Sequence, residues 1–244
     1  MRAPWSALAC LAMILVTAQP SLAQSSTRLF DLTLRIHVSA LPEEEWIDPA
    51  CGTDGGPPSL RLDSFADFAR CRREARTGLH EVWFIYDDEW EYIARAYGDD
   101  EEIRRFSANV LYAQPIITSL LIDDDGLVQG YRIVTDTRAP TLVRMLAHEL
   151  FAVLKTGLRD APWRCTSLPK EPGEEPYEGM FLKDNCAMVT GDRLSLLEGR
   201  NLRKPGQSFM QAPPEGYFES STRLEVFALD AVRDAPCCRA SALP

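Results

Sequence analysis

Histidine is scarce in this chain. His37, His80 and His148 are the only three in 244 residues, which leaves little material for zinc hydrolysis or a nucleophile–histidine pair unless the fold gathers distant partners. There is no Gly-x-Ser-x-Gly elbow, no Cys-x-x-Cys and no nucleotide-binding fingerprint, so elbow-type acyl transfer, thioredoxin-like exchange and dinucleotide chemistry lose their usual sequence support. Excess positive charge is also missing. Lys and Arg total 26 against 36 Asp and Glu, a formal charge of −10, which disfavours nucleic acid and anionic membrane surfaces and leaves a basic protein or an envelope component as the partner class. Beyond the N-terminus, no apolar run approaches the ~18 residues needed to cross a bilayer.

The N-terminus itself is the exception. Arg2 precedes the apolar stretch Ala7 to Thr17, and Ser21-Leu22-Ala23 places small residues at −3 and −1 of a cleavage site. This is the layout of a secretory signal peptide over residues 1–23. Cys10 lies inside that stretch with Ala7 three residues before it, where a lipoprotein box carries Leu, so lipidation is not expected. The expected product is a periplasmic or secreted soluble protein of residues 24–244, long enough for one sizeable core.

Six cysteines remain after such cleavage: Cys51, Cys71, Cys165, Cys186, Cys237 and Cys238. An even number in an exported chain reads as three disulfides, with 15 possible pairings. Cys165 and Cys186 bracket the Pro- and Gly-rich stretch Leu168 to Gly179 and are expected to pair. Cys51 and Cys71 then join Cys237 and Cys238, or each other beside a bridge between the adjacent pair.

Periodicity gives the expected elements. Phe30, Leu32, Leu34, Ile36 and Val38 alternate with polar residues and predict a strand with one dry face. Pro42 to Ser59 reads as a surface loop stapled by Cys51. Ser64 and Asp67 form a capping arrangement for a helix running to about Arg76. Leu79 to Tyr86, with Val82-Trp83-Phe84-Ile85, predicts a central strand, and Asp88 to Gly98 a second helix. Pro115–Ile122 and Leu127–Asp136 flank Asp123-Asp124-Asp125-Gly126 as a hairpin. Pro140 opens a third helix over Thr141 to Thr156, with Val143, Leu146, Ala147, Leu150 and Leu154 on its apolar stripe. After Trp163, expected to pack on a disulfide, short apolar runs at Gly179–Lys183, Cys186–Thr190, Leu194–Leu197 and Thr222–Leu229 predict short strands. The change of style near residue 160 marks a candidate subdomain boundary. The expected class is α+β: a largely antiparallel sheet with about three helices on one face, disulfide-stapled, in a single domain.

Functional motifs fail one after another. His148-Glu149 begins the zinc-protease helix motif, but the second ligand position, 152, is Ala, and helical geometry puts His148 opposite the Leu146–Leu150 stripe, towards solvent. His37 falls on the polar face of the first strand, and His80 has no sequence-local partner. Aligning Asp123, Asp125 and Gly126 with a calcium loop puts Leu121 and Arg132 at its two obligatory carboxylate positions, which excludes an EF-hand. The basic stretch Arg200, Arg203, Lys204 reads as a solvated loop. No metal or cofactor is expected.

The densest mixture of rings and acids is the segment Tyr86-Asp87-Asp88-Glu89-Trp90-Glu91-Tyr92, within which Tyr86, Asp87, Asp88, Trp90 and Glu91 stand out. It follows a central strand, where ligands are commonly held, and these five residues are the candidate ligand-binding set. Two functions are carried forward. One is a non-catalytic module binding an envelope component or basic protein. The other is a carboxylate-dependent hydrolase of an envelope glycan using Asp87, Asp88 or Glu91 as acids.

Overall fold

The computed structural model describes residues 29–86, 96–98, 109–207, 218–233 and 235–238. Its framework is one antiparallel sheet of ten strands. In chain order these are β1 (Trp46–Cys51), β2 (His80–Tyr86), β3 (Val110–Leu111), β4 (Gln114–Ile122), β5 (Val128–Thr135), β6 (Arg164–Ser167), β7 (Glu175–Pro176), β8 (Leu182–Thr190), β9 (Arg193–Arg203) and β10 (Glu219–Ala228). The spatial order is β1-β2-β4-β5-β10-β9-β8-β6, with β3 against β4 and β7 against β9. The last strand enters the middle, pairing with β5 on one side and β9 on the other. One hydrogen-bonded sheet therefore runs across the change of sequence style near residue 160.

This architecture corrects the α+β expectation. Strand accounts for 41% of the described residues and helix for 16%, and the described helices are short and form no three-helix face. Two separate causes act among the described residues. The segment capped by Ser64 is a six-residue 3-10 helix, Phe65–Arg70, whose cap hydroxyl accepts from the Ala66 amide; Cys71, bonded to Cys51, ends it. The third helix is broken in two, α1 (Thr141–Met145) and α2 (Glu149–Gly157). Hydroxyls from β10 compete for the backbone between them: Ser220 Oγ accepts from the His148 amide at 3.0 Å and donates to Met145 O, and Thr222 Oγ1 donates to Ala147 O at 2.8 Å. The expected helix Asp88–Gly98 falls mostly outside the described residues. Meanwhile the late strands are long, with β9 reaching eleven residues.

The first predicted strand is also corrected. Leu29–Asp31 and Val38–Ala40 are 3-10 turns, and Arg35 sits at φ 68°, a left-handed conformation that stops a ladder. Only a few backbone bonds tie the segment to the sheet, among them Arg35 N–H to Val128 O and Val38 N–H to Gly126 O. Alternation nonetheless reported burial correctly, since Leu32, Leu34 and Val38 are all enclosed. The Pro42–Ser59 loop likewise contains β1, which pairs with β2 across an irregularity at Ile47–Ala50.

The central strand and the hairpin stand as expected. β2 lies between β1 and β4, and β4–β5 turn through Gly126 at φ +77°. Cys165–Cys186 pair, Cys51–Cys71 pair, and Cys237–Cys238 form the adjacent bridge. No described helix is long and apolar enough to cross a membrane. The disulfides fit an exported protein.

The sheet has two unlike faces. Strand alternation puts Val82, Phe84, Leu120, Tyr131, Ile133, Leu224 and Val226 on one side, where they pack with Leu29, Leu32, Trp46, Phe65, Leu150 and Leu154 as the main core. On the reverse face a smaller apolar cluster, including Leu79, Leu121, Phe227, Val232 and Cys238, shares the surface with charged residues.

Candidate functional site

Those charged residues form a network on the reverse face. Arg132 of β5 stands opposite Glu225 of β10 and opposite Ser119 of β4, and Glu81 of β2 lies on the same side. Arg132 has no exposed surface, Glu225 is 1% exposed and Glu81 2%. A guanidinium buried to this degree requires carboxylates at every donor, and it has them. Its Nε donates to Glu225 Oε1 at 2.7 Å. Nη1 reaches Glu74 Oε1 at 2.5 Å and Glu81 Oε1 at 2.9 Å, and Nη2 donates to Glu74 Oε2 at 2.9 Å.

Glu225 is bound from three sides. Arg223 Nη2 donates to its Oε1 at 2.8 Å, and Arg76 pairs with its Oε2. Burial alone pushes this carboxyl upward, but Arg132, Arg223 and Arg76 outweigh it and hold the group down at about 2. The same carboxylates keep the Arg132 guanidinium firmly protonated against its burial.

A glycine-rich loop wraps this network. Asp54 and Gly55 both have positive φ, 61° and 78°, which turns two successive amides inward as an anion nest. The nest is filled by the protein's own Glu81: Asp54 N–H and Gly55 N–H donate to its two carboxylate oxygens at 2.5 and 3.0 Å. A side chain on Gly52 would overlap Cγ and Cδ of Glu81, so the close approach requires glycine. Asp54 then reaches outward to Arg223 Nη2 at 2.5 Å.

Between this loop and the segment Arg72–Arg76 lies a cleft of about 570 Å³, with Glu81 and Glu74 on its floor and the Cys51 bridge at one end. Its rim carries Arg72, Arg73 and Arg76. Arg73 pairs with Asp124, and Arg76 with Glu225. Arg72 is exposed and makes no ion pair with any described residue. Nε of Arg76 is enclosed yet has no acceptor among the described residues.

No protein-family model matches the chain, and no curated protein or solved structure matches it significantly. The reading of the cleft therefore rests on its own chemistry.

Of the five residues singled out from sequence, Asp87, Asp88, Trp90 and Glu91 lie outside the described residues. Tyr86 is packed in the main core, edge-on to Trp46 and Phe84, where burial pushes its phenol up. The histidines are used structurally. His80 Nδ1 lies 2.6 Å from Cys71 O, a contact that needs the proton on Nδ1, and its Nε2 is 3.2 Å from Asp124 Oδ1. His148 is half-buried against Ser220 and not turned to solvent, and His37 Nδ1 accepts from the Ser39 amide. Of the expected stripe, Ala147, Leu150 and Leu154 are buried and Leu146 is exposed at the break, while Arg144 is buried over the Phe218 ring.

The hairpin acids are also committed. Asp123 accepts from the Asp125 and Leu127 amides and from Gln129. Among the described residues no three His, Cys, Asp or Glu side chains converge on a metal position. Arg200 is bonded to Asp184 O, Asn185 and Glu198, and Lys204 pairs with Glu219, so the basic stretch is an internally tied strand end.

Sequence reading missed the network itself. A signal was present: single charges in the middle of otherwise apolar strands, Glu81 between His80 and Val82, Arg132 between Tyr131 and Ile133, Glu225 between Leu224 and Val226. Opposite charges at such positions point to strands that pair through a buried ion contact.

Proposed function

We propose that the protein is an exported binding module that acts without turnover on an envelope component, and that the cleft above Glu81 and Arg132 receives it. The observation carrying this reading is the cleft's construction. Its floor is immobilised by interlocking ion pairs and a filled backbone nest, while its rim keeps donors without acceptors, a rigid base under an open polar mouth.

The chain-wide acidity favours a basic protein as partner, but the open groups of the cleft are guanidinium groups, which favours the envelope component. The glycan-hydrolase alternative gains nothing from this site. A general acid must hold a proton near the working pH, and Glu225 stays ionised down to about pH 2, while Glu74 and Glu81 are both bonded to Arg132.

Ser59 is exposed at the cleft mouth, and Ser59→Trp should fill it without touching the floor. Affinity capture from an envelope extract should retain a component with the wild-type protein and lose it with that variant. Equal capture by both would place binding elsewhere and remove the cleft reading.

A further inference from the structure

Resting on the cleft as the ligand site, we infer that its ligand presents an oxyanion, a carboxylate or a phosphate, which is held by Arg72 with Arg73 and Arg76. Hydrogen-bonding capacity at the cleft sets the sign of the ligand's charge. Every carboxylate in and under the cleft is engaged: Glu74 with Arg132, Glu81 with Arg132 and two backbone amides, Asp54 with Arg223, and Glu225 with three guanidinium groups. The amides of Gly52, Asp54, Gly55 and Gly56 are engaged as well: Gly52 N–H donates to Glu81 O, Gly56 N–H to Thr53 O, and the other two to the Glu81 carboxylate. Thr53 and Ser59 hydroxyls donate to Pro57 O and Cys51 O.

What is left over is donor capacity. Arg72 brings a complete guanidinium and Arg73 bonds Asp124 through Nη2 alone, while Arg76, tied to Glu225, adds its positive charge to the rim. Guanidinium forks match the geometry of carboxylate and phosphate oxygens. A cationic ligand would find no free carboxylate here and would be repelled by Arg72. Charge does not oppose the anion either. Arg72, Arg73, Arg76, Arg132 and Arg223 are matched by Asp54, Glu74, Glu81, Glu225 and Asp124, so the site is locally neutral within an acidic protein. Binding is accordingly selective for ligands that can use the free N–H groups, and it weakens as salt rises.

The test is calorimetric titration of the full folded protein with inorganic phosphate and, separately, with trigalacturonate, which present the two oxyanion sources. One probe should bind with 1:1 stoichiometry. Arg72→Ala should weaken it by about tenfold or more, Arg72→Lys should restore part of the affinity, and Lys170→Ala, an exposed cation away from the cleft, should leave it unchanged. Binding of neither probe, or equal loss in Arg72→Ala and Lys170→Ala, would overturn the inference. If the probes fail while capture sensitive to Ser59→Trp persists, the ligand chemistry is wrong and the cleft stands. Loss of both removes the cleft reading too.

Discussion

Arg132 and Glu225 face each other in register across β5 and β10, with Nε 2.7 Å from Oε1, and this pair joins the strand that ends the first half of the sheet to the last strand of the chain. Removing one member strands several charges at once. Arg132→Met should leave Glu225, Glu81 and Glu74 short of a partner and cost roughly 3–5 kcal/mol. In a domain of this size that is a fall in Tm on the order of 10 °C, measurable by scanning calorimetry. A variant as stable as wild type would show that the network carries no net stability.

Acid should unfold the protein through the same group. The folded-state carboxyl of Glu225 titrates at about 2, below its ordinary 4.5. Its contribution is therefore fully present above about pH 4.5 and is lost as the pH falls through 2. The full shift corresponds to roughly 3 kcal/mol. Denaturant midpoints of wild type and Glu225→Gln should differ most at neutral pH and converge towards pH 2. Parallel curves over that window would show that Glu225 is not the titrating link.

Two glycines offer a contrast in backbone space. A methyl at Gly52 meets the Glu81 side chain, whereas one at Gly157, at the end of α2, meets nothing within 4 Å. Gly52→Ala should destabilise by about 1–3 kcal/mol through displacement of Glu81. Gly157→Ala should be neutral or slightly stabilising. Chemical denaturation of the two variants side by side checks the pair, and an unaffected Gly52→Ala would mean the loop does not sit on Glu81.

The Cys51–Cys71 bridge closes a separation of 20 residues, from the end of β1 through the 3-10 helix. Replacing both cysteines with serine should cost about 2–4 kcal/mol and loosen the cleft, which Cys51 lines. Non-reducing peptide mapping should recover Cys51–Cys71 and Cys165–Cys186 as separate linked peptides. A link from Cys51 or Cys71 to the C-terminal pair would contradict the structure.

Where one local pattern dominated, the sequence was readable. The consecutive run Val82-Trp83-Phe84-Ile85 predicts a central strand, not an edge, and β2 pairs with β1 on one side and β4 on the other. The Asp-Asp-Asp-Gly turn predicts a hairpin, and the spacing of Cys165 and Cys186 a bridge; both are present. Misreadings arose where a distant partner outbid local preference. Hydroxyls of Ser220 and Thr222 divide a helix more than 70 residues away, and Arg35 leaves extended geometry where its guanidinium reaches Asp192 at 2.5 Å and Asp230 at 2.6 Å.

By itself the amino-acid order determined the burial of alternating apolar residues and the sharp turns, because side-chain alternation and glycine at positive φ act over a few residues. Leu32, Leu34 and Val38 are buried even though their segment is not a strand. Only the tertiary structure decided that Glu74, Glu81, Arg132 and Glu225 meet, since they are far apart in the chain until strand order brings β2, β5 and β10 together. Coulombic pairing depends on separation in space, and the partners of Arg132 lie 58 and 93 residues away along the chain.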